Sequence, residues 1–371
     1  MTSTQRPIAI VTLAVALVSL AVYPAARAGD PHGILVVDAA ASRVMLLSPI
    51  TGDFEADVVV DDAEENRLLS PIDIERGGPL TVDGTVREHT VLVSDLGRRA
   101  ILAFDSSTGQ FVSTLISNVS ARGLARSLDG KLLVAAGNAG VRAYQLDGTF
   151  VETRITAEPV DGPNNAWDVL VRPHGLDGQG DMLVADPTLD MIGRFDLSGA
   201  PLGVFAKLPE FTFLEQLTAG RDGAVLAVDV FGNTVYEFLA DGTPVRTFTA
   251  TRPRGVVELV DGSLLIASEE GVRVYDRQSG LPLDVKVAGF PTTAPRYMKN
   301  FRCPWPLQPG DVNGDGSVNA FDIDPFILAL TQPEALPEQY PHVNPLCVAD
   351  INLDGAINVF DIDPFIDLLL R

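Results

Sequence analysis

The chain has 371 residues, 46% of them hydrophobic, which is enough for more than one domain and a sizeable core. Its 49 acidic residues outnumber 27 basic ones, and the formal net charge of -22 excludes a nucleic-acid-binding protein, which needs basic patches. From Cys303 to the last residue, eleven acidic residues face one arginine, so the acidity is densest near the C-terminus.

Residues 1–28 have the pattern of a secretory signal peptide. A short segment containing Arg6 precedes an apolar run from Ile8 to Val22, and the small residues Ala26–Ala28 offer a cleavage site before Gly29. The run is short for a transmembrane helix. We therefore expect a protein secreted to the extracellular space or the cell surface, with no membrane insertion after signal cleavage. An uncleaved N-terminal anchor is the alternative.

Residues 29–300 are predicted to form a six-bladed β-propeller, which makes the fold mainly β. One phrase recurs six times at spacings of about 40 to 57 residues, as in KLLVAAGNAGVRAYQLDGTFVETRI and AVLAVDVFGNTVYEFLADGTPVRTFT. Its alternation and its glycine turns predict antiparallel, four-stranded blades. Five copies follow a further short strand, and the first copy lacks one. We expect Pro295–Asn300 (PRYMKN) to supply that missing strand and to close the ring.

The repeated pattern resembles the NHL-like and the gluconolactonase-like or streptogramin-lyase-like six-bladed propellers. The resemblance implies the fold and leaves the activity open. Lactonase-like members bind a metal through Glu, Asn and Asp residues from several blades, whereas lyase-like members use a His and Glu arrangement. Neither set is matched in this sequence.

Two groups of propeller residues are candidates for a site. An aspartate follows the second strand of four copies, at Asp38, Asp95, Asp186 and Asp229. These four predict either a ring of carboxylates for a metal or substrate or, as the favoured interpretation, acceptors for backbone N–H groups in the following turns. The segment from Pro163 to Gly175 departs most from the repeat. It predicts a ligand site at the channel mouth formed by Asn164, Asn165, Trp167, Asp168 and His174.

A seventeen-residue motif occurs twice near the C-terminus, as DVNGDGSVNAFDIDPFI from Asp311 and DINLDGAINVFDIDPFI from Asp350, with twelve positions identical. Its oxygen-bearing residues have the spacing of a calcium loop, with a glycine at the sharp bend. Position 7 contributes only its backbone carbonyl. The predicted ligands for two Ca²⁺ ions are Asp311, Asn313, Asp315, Ser317, Asn319 and Asp322 in the first loop, and Asp350, Asn352, Asp354, Ala356, Asn358 and Asp361 in the second.

Paired loops with Asp at position 12, each followed by one helix, resemble the type I dockerin module. Over Asp311–Leu370 the resemblance implies a small α-helical calcium-binding domain that docks onto a cohesin module. The helices are predicted to have their N-caps at Asp324 and Asp363. In the family, partner recognition usually involves loop positions 10 and 11, which here are the apolar pairs Ala320-Phe321 and Val359-Phe360.

The repeated FDIDPFI segments contain more apolar side chains than a sixty-residue module buries. We expect some of them to pack between the halves and the others to form two equivalent exposed patches. The two cysteines, Cys303 and Cys347, are predicted to form a disulfide in an oxidising compartment. A Pro-rich linker is predicted at residues 289–310, overlapping the closing strand, before a dockerin-like domain at 311–371.

The function predicted from these features is binding and display. The propeller is expected to bind a glycan or protein ligand, while the calcium-loaded module docks to a cohesin-like module or cell-surface protein. The alternative is an extracellular carbohydrate-active enzyme of polysaccharide catabolism, or a propeller-type hydrolase or lyase, delivered by its dockerin.

Overall fold

In the computed structural model of the chain, the described residues run from 33 to 370, with gaps at 61–67, 88, 158–161, 173–179, 221–222, 260, 290–291, 302–308, 316, 334, 341–342, 344 and 352–356. The predicted signal peptide, His174 and Cys303 fall outside this part of the chain. Among the residues that the structure describes, no helix is long and apolar enough to cross a membrane.

Six antiparallel, four-stranded sheets form the blades of the predicted propeller, and the first-named strand of each blade is the innermost. Blade 1 contains β26 (Pro295–Asn300), β1 (Ile34–Asp38), β2 (Arg43–Leu47) and β3 (Phe54–Val60). Blade 2 contains β4 (Pro71–Arg76), β7 (Thr90–Asp95), β8 (Ala100–Asp105) and β9 (Phe111–Ser117). Blade 3 contains β10 (Leu124–Arg126), β11 (Leu132–Ala135), β12 (Val141–Tyr144) and β13 (Phe150–Ile155).

The remaining three blades follow the same order. Blade 4 contains β14 (Asp168–Arg172), β15 (Asp181–Asp186), β16 (Met191–Phe195) and β17 (Pro201–Lys207). Blade 5 contains β18 (Leu214–Ala219), β19 (Val225–Asp229), β20 (Thr234–Phe238) and β21 (Pro244–Thr249). Blade 6 contains β22 (Gly255–Glu258), β23 (Leu264–Ser268), β24 (Gly271–Tyr275) and β25 (Pro282–Ala288). A small hairpin, β5 (Leu80–Val82) and β6 (Thr85–Arg87), is inserted in blade 2.

The last strand of the propeller completes the first blade. Strand β26 pairs antiparallel with β1, with Ile34 opposite Asn300 and Val36 opposite Met298. The predicted ring closure by Pro295–Asn300 is thus confirmed. Blade 1 has four strands, as each of the other five blades does.

The hydrophobic core is divided among the six interfaces between neighbouring blades. Successive residues of β1 show the reason, because side chains along a strand point to opposite faces of its sheet. Leu35 and Val37 pack toward blade 2, whereas Ile34 and Val36 pack against blade 6. The second strands are therefore buried on both faces, which accounts for their continuous apolar sequences. The interface between blades 6 and 1, where the ring closes, has an apolar core like the other five interfaces.

The described residues of the C-terminal region form four short α-helices, α1 (Ile323–Thr331), α2 (Leu336–Gln339), α3 (Pro345–Val348) and α4 (Ile362–Leu369). The predicted N-caps at Asp324 and Asp363 are wrong by a few residues, because a 3-10 turn precedes α1 and α4. That turn is capped by Asn319 before α1 and by Asn358 before α4, each in a capping box with the aspartate three residues later. Asp324 and Asp363 instead lie in the first turns of their helices.

Candidate functional site

The turns that follow the second strands share one face of the ring, which we call the upper face. Asp186 accepts hydrogen bonds there from its own turn, at Thr188 N (2.8 Å) and Leu189 N (3.1 Å), and from the segment that leads into β14, at Asn164 N (2.6 Å) and Asn165 N (3.1 Å).

The other three repeated aspartates make the same kind of connection in their blades. Asp38 accepts from Ala294 N before the closing strand, Asp95 from Leu69 N before β4, and Asp229 from Phe213 N before β18. The favoured interpretation is confirmed: these carboxylates tie the turn after each second strand to the start of the inner strand. They do not form an open ring for a metal or substrate.

The predicted channel-mouth residues separate into two environments, apart from His174, which is not among the described residues. Asn165 and Trp167 meet at Arg122 on the upper face. The Asn165 Oδ1 atom accepts a hydrogen bond from the Arg122 guanidinium group, whose Cζ atom lies 4.3 Å from the centroid of the Trp167 ring. Asn164 contributes its backbone N–H to Asp186, and Asp168 points into the channel instead.

Trp167 also belongs to an aromatic group on the upper face. Its ring meets that of Phe213 edge to face at 4.6 Å, and Phe213 lies 5.1 Å from Phe231, which is 61% exposed. This rim presents apolar ring surface beside a guanidinium group, a combination suited to ligands with both flat and polar surfaces.

Inside the channel, buried polar side chains connect the inner strands of neighbouring blades. Asp73 accepts a hydrogen bond from Leu124 N (2.6 Å), Asp168 from Leu217 N (2.7 Å), and Gln216 from Val256 N (2.9 Å). Each bond spans from one blade to the next, so these side chains hold the ring together from within.

One lysine of the closing strand forms an ion pair with a buried carboxylate of the channel. Lys299 Nζ lies 2.8 Å from Asp73 Oδ2 and also donates to the carbonyl of Leu124. Burial raises the pKa of Asp73 to about 6, although Lys299 acts in the opposite direction. Burial and the Asp73 carboxylate raise the pKa of Asp168 well above its usual range. Burial lowers the pKa of Lys299, but the surrounding carboxylates raise it more, and the net direction is upward.

A second buried acid lies nearer the upper end of the channel. The Glu215 side chain is fully buried, 2.6 Å from Arg254 and 3.9 Å from Arg296. Burial raises the pKa of Glu215 despite these two arginines.

A cavity of about 650 Å³ opens at the lower end of the channel. Charged residues of three blades line it, at Glu75, Arg76, Arg126 and Lys299. The Asp73–Lys299 pair reaches this cavity through Lys299. The arrangement therefore places a lysine backed by a carboxyl group at the wall of a ligand-sized space.

Sequence reasoning did not find Asp73, Lys299, Glu215 or Arg122. The available signal for Asp73 was an aspartate between two apolar residues of an inner strand, since Asp73 in PIDIERG corresponds to Asp168 in WDVLVRP. The partner of Asp73 lies 226 residues away in sequence, and only closure of the ring brings the two together.

In the first predicted calcium loop, side-chain oxygens gather around shared backbone amides. Asp315 N donates to Asp311 Oδ1 (3.0 Å) and Asn313 Oδ1 (2.9 Å), while the two carboxylate oxygens of Asp322 accept from Asn313 N (2.9 Å) and Asn319 N (2.8 Å). Asp311 and Asp322 are fully buried, whereas Asp315 is exposed. This all-oxygen donor set fits a hard cation such as Ca²⁺.

Across the described residues, no three His, Cys, Asp or Glu side chains by themselves form a group that could hold a metal. The first loop relies in addition on the amide and backbone oxygens predicted for Asn313, Ser317 and Asn319. In the second loop, Asp350 and Asp361 are fully buried and Asn358 repeats the cap of Asn319, but Asn352, Asp354 and Ala356 lie outside the described residues.

The two halves of the C-terminal region are close geometric copies joined by an aromatic stack. Asn319 has φ -157° and ψ -173°, and its counterpart Asn358 has φ -155° and ψ -172°. Phe326 and Phe365 are each 3% exposed and stack with ring centroids 4.0 Å apart. They are therefore the apolar pair that packs between the halves.

Cys347 is buried in the same core as Phe326 and Phe365. Its predicted partner, Cys303, falls outside the described residues, so the disulfide stays a prediction.

Residues 309–370 match the dockerin type I domain family. Dockerin domains bind calcium and cohesin modules, and they occur in extracellular cellulosome components. This match indicates a role in cohesin docking and extracellular assembly. No curated protein matches the chain.

Solved structures resemble the propeller at low identity. A nidogen/laminin complex is 14% identical with a TM-score of 0.56, covering 73% of this chain and 100% of that chain. A streptogramin B lyase structure is 14% identical (TM-score 0.47, 75% and 88% covered), and a selenomethionine-substituted virginiamycin B lyase from Staphylococcus aureus is 16% identical (TM-score 0.45, 68% and 83% covered). At such identities the likeness concerns the fold alone.

Proposed function

We propose that this protein is an exported binding and display component, whose C-terminal module holds two Ca²⁺ ions and docks to a cohesin module while the propeller presents a ligand-binding face. The observation that carries the docking part is a duplicated set of exposed apolar side chains. We define the first patch as Phe321, Ile323 and Ile327, and the second patch as Phe360, Ile362 and Ile366.

The exposure of these side chains is large and matched between the halves. Phe321 and Phe360 are 79% and 72% exposed, and Ile327 and Ile366 are 51% and 45% exposed. Contiguous apolar surface of this kind in a small module marks an interaction site. Phe321 and Phe360 also occupy loop position 11, where the family resemblance expects partner recognition.

Two equivalent patches allow one partner to bind in either of two orientations. A cohesin module engages one patch at a time, and the close similarity of the two halves makes the two modes nearly equal in free energy. Removing one patch leaves the second binding mode available. Because one of two nearly equal modes is lost, the affinity for the cohesin module falls only about twofold.

The test is binding of the calcium-loaded full chain to a panel of cohesin modules. Phe321→Ser and Phe360→Ser are expected to bind nearly as well as the wild type, whereas the double variant loses at least about 100-fold, as for paired hot spots. Phe211→Ser is the matched control, because Phe211 is an 86% exposed phenylalanine of the propeller. Complete loss of binding in either folded single variant would rule out the dual orientation.

Export and the disulfide are parts of the same proposal. The signal-like segment at residues 1–28 supports secretion, and the burial of Cys347 in the module core is compatible with a structural bridge to Cys303. The secreted protein is expected to begin at Gly29 and to have no titratable thiol after unfolding without reductant. Two thiols under those conditions would contradict the bridge.

A catalytic propeller is the second candidate, and the lower cavity favours it. Lys299 at the cavity wall contacts Asp73, whose pKa is raised by burial to about 6, a value suited to proton transfer near neutral pH. This candidate expects turnover of a polysaccharide that Lys299→Gln abolishes without loss of fold. Equal turnover in wild type and variant would remove the assignment.

A further inference from the structure

A smaller cavity, of about 380 Å³, lies on the upper face between blades 2 and 3. Three arginines, Arg99, Arg122 and Arg142, line it together with the neutral polar residues Asn118, Ser120 and Asn138, and no acidic residue is among its lining residues. In a chain with a net charge of -22, such a local concentration of positive charge is unexpected from composition alone.

Arg122 is held in place by neutral groups, and the carboxylate that acts on its charge, Asp186, only partly offsets the lowering of its pKa by burial and forms no ion pair with it. Its guanidinium group donates to Asn165 Oδ1 and to the carbonyl of Ala166 (3.4 Å), and it stacks on Trp167. It also lies against Gly137, where an added Cβ would come within 2.8 Å of Nη1. The contacts of Asn165 and Trp167 thus orient a cation, and burial lowers the pKa of Arg122 because its charge is partly desolvated.

Blade 6 provides an internal comparison for Arg142. Its counterpart on β24, Arg273, forms an ion pair with Glu270 three residues earlier, at 2.9 Å. The residue three positions before Arg142 is Ala139, which cannot form this pair. The Nε atoms of both arginines lack hydrogen-bond partners, so the difference lies in the carboxylate. Within the described part of the chain, none of the three pocket arginines forms an ion pair.

Arg99 occupies a backbone position that favours other residues. It has φ +55°, in the left-handed region, at the turn position where blades 1, 4 and 5 have Ser42, Asp190 and Asn233 with similar angles. Asn and Asp tolerate this region better than arginine does. An arginine at this position brings a third cation to the pocket at a conformational cost.

We infer that this pocket binds the carboxylate or sulfate group of an acidic saccharide. Guanidinium groups form paired, charge-assisted hydrogen bonds with planar or tetrahedral oxyanions, and the Asn and Ser side chains match sugar hydroxyl groups. The volume suits a ligand of one or two sugar rings. The inference rests on the ligand-binding role proposed for the propeller and is independent of cohesin docking.

The test uses calorimetric titration of the calcium-loaded full chain with four probes: a galacturonate trisaccharide, its methyl ester, a sulfated disaccharide and inorganic sulfate. The acid trisaccharide or the sulfated disaccharide is expected to bind, and the tighter of the two identifies the source of the oxyanion. Arg142→Gln is expected to weaken binding by about 10- to 100-fold, as for loss of a charged hydrogen bond.

The decisive variant is Ala139→Glu, which copies the arrangement of blade 6 and supplies Arg142 with an internal carboxylate. It is expected to fold and to lose saccharide binding, whereas the matched control Arg273→Gln retains it. Unchanged binding by folded Ala139→Glu, or the absence of binding by either acidic saccharide, would overturn the inference.

Two further outcomes separate this inference from the proposed function. Equal binding of the methyl ester would overturn the acidic ligand while leaving the propeller with a glycan ligand, and sulfate binding as tightly as the saccharides would assign the pocket to free anions. Cohesin binding, measured on the same samples, is expected to be unchanged in all variants. Its failure would count against docking alone.

Discussion

The propeller and the C-terminal module both contain buried aspartates, but the charges of these aspartates are balanced in different ways in the two regions. In the propeller, Asp186 and Asp73 accept hydrogen bonds from backbone amides of the same or the next blade, and Lys299 neutralises Asp73. In the module, Asp311 and Asp322 also accept amide hydrogen bonds, yet the region from Cys303 onward has one basic residue against eleven acidic ones. The propeller carries its own countercharges, whereas we expect the module to take its countercharges from solution as Ca²⁺.

The largest effect on the propeller side of this comparison is expected from removal of the closing strand. A chain ending at Gly289 lacks β26 and exposes the edges of β1 and the channel, so it is expected to be insoluble. A chain ending at Phe301 retains β26 and the hydrogen bond from Arg76 to the Phe301 carbonyl, and it is expected to be soluble. Equal soluble fractions for the two chains would mean that closure contributes little.

On the module side, chelation is expected to remove the helical structure. All four α-helices of the described residues lie beyond residue 320, so the helical circular dichroism signal reports on the module. EDTA should abolish this signal while the β-propeller melts at its usual temperature, because metal binding supplies the folding free energy of small metal-dependent modules. A helical signal that resists EDTA would remove the contrast between the two regions.

Within the propeller, Lys299→Met removes the positive charge that is paired with the buried Asp73 carboxylate. Removing one partner of a buried ion pair costs about 3–5 kcal/mol of unfolding free energy at neutral pH. The sign of the pH dependence follows from Asp73, whose folded pKa of about 6 is above its usual 3.8. A raised carboxyl pKa favours the folded state at low pH, and that contribution is lost as the pH rises through the folded value.

The destabilisation by Lys299→Met is therefore expected to be smallest near pH 4 and to grow toward pH 7, because loss of the lysine raises the Asp73 pKa further. Urea denaturation at several pH values measures it. A penalty that is constant with pH would indicate that Asp73 does not depend on Lys299 for its charge.

Inside the module, two neighbouring substitutions on α1 separate the core from the surface. Phe326→Ala removes one ring of the Phe326–Phe365 stack and is expected to cost about 3–5 kcal/mol. Ile327→Ala, next to it on α1 but 51% exposed, is expected to cost less than about 1 kcal/mol. Equal melting temperatures for the two calcium-loaded variants would contradict the assignment of Phe326 to the core.

Sequence patterns predicted what depends on local periodicity. Six copies of one strand pattern indicated the six blades, and the missing inner strand of the first copy identified Pro295–Asn300 as the closing strand. The repeated aspartates were correctly interpreted because their hydrogen-bond donors lie in their own turns and in the segments leading to their inner strands. The duplicated loop likewise identified the C-terminal module.

Contacts that form only after ring closure were not predictable in the same way. Asp168 was expected at the channel mouth, but its strand turns the side chain inward, toward Leu217 of the next blade. Asn165 and Trp167 lie on the upper face, and their role in ligand binding stays a prediction, whereas Arg122, which they orient, was missed because it precedes a different blade. Periodicity also could not distinguish buried Phe326 from exposed Ile327, since both lie in one apolar segment of a short helix.

Calcium-dependent docking is tested most directly by calorimetric titration of the full chain with a panel of cohesin modules, in calcium and in EDTA. We expect at least one cohesin to bind with a one-to-one stoichiometry in calcium, since the two patches are alternative sites for one partner, and we expect EDTA to abolish this binding. Binding that persists in EDTA, or no binding by any cohesin to the folded, calcium-loaded chain, would contradict calcium-dependent docking.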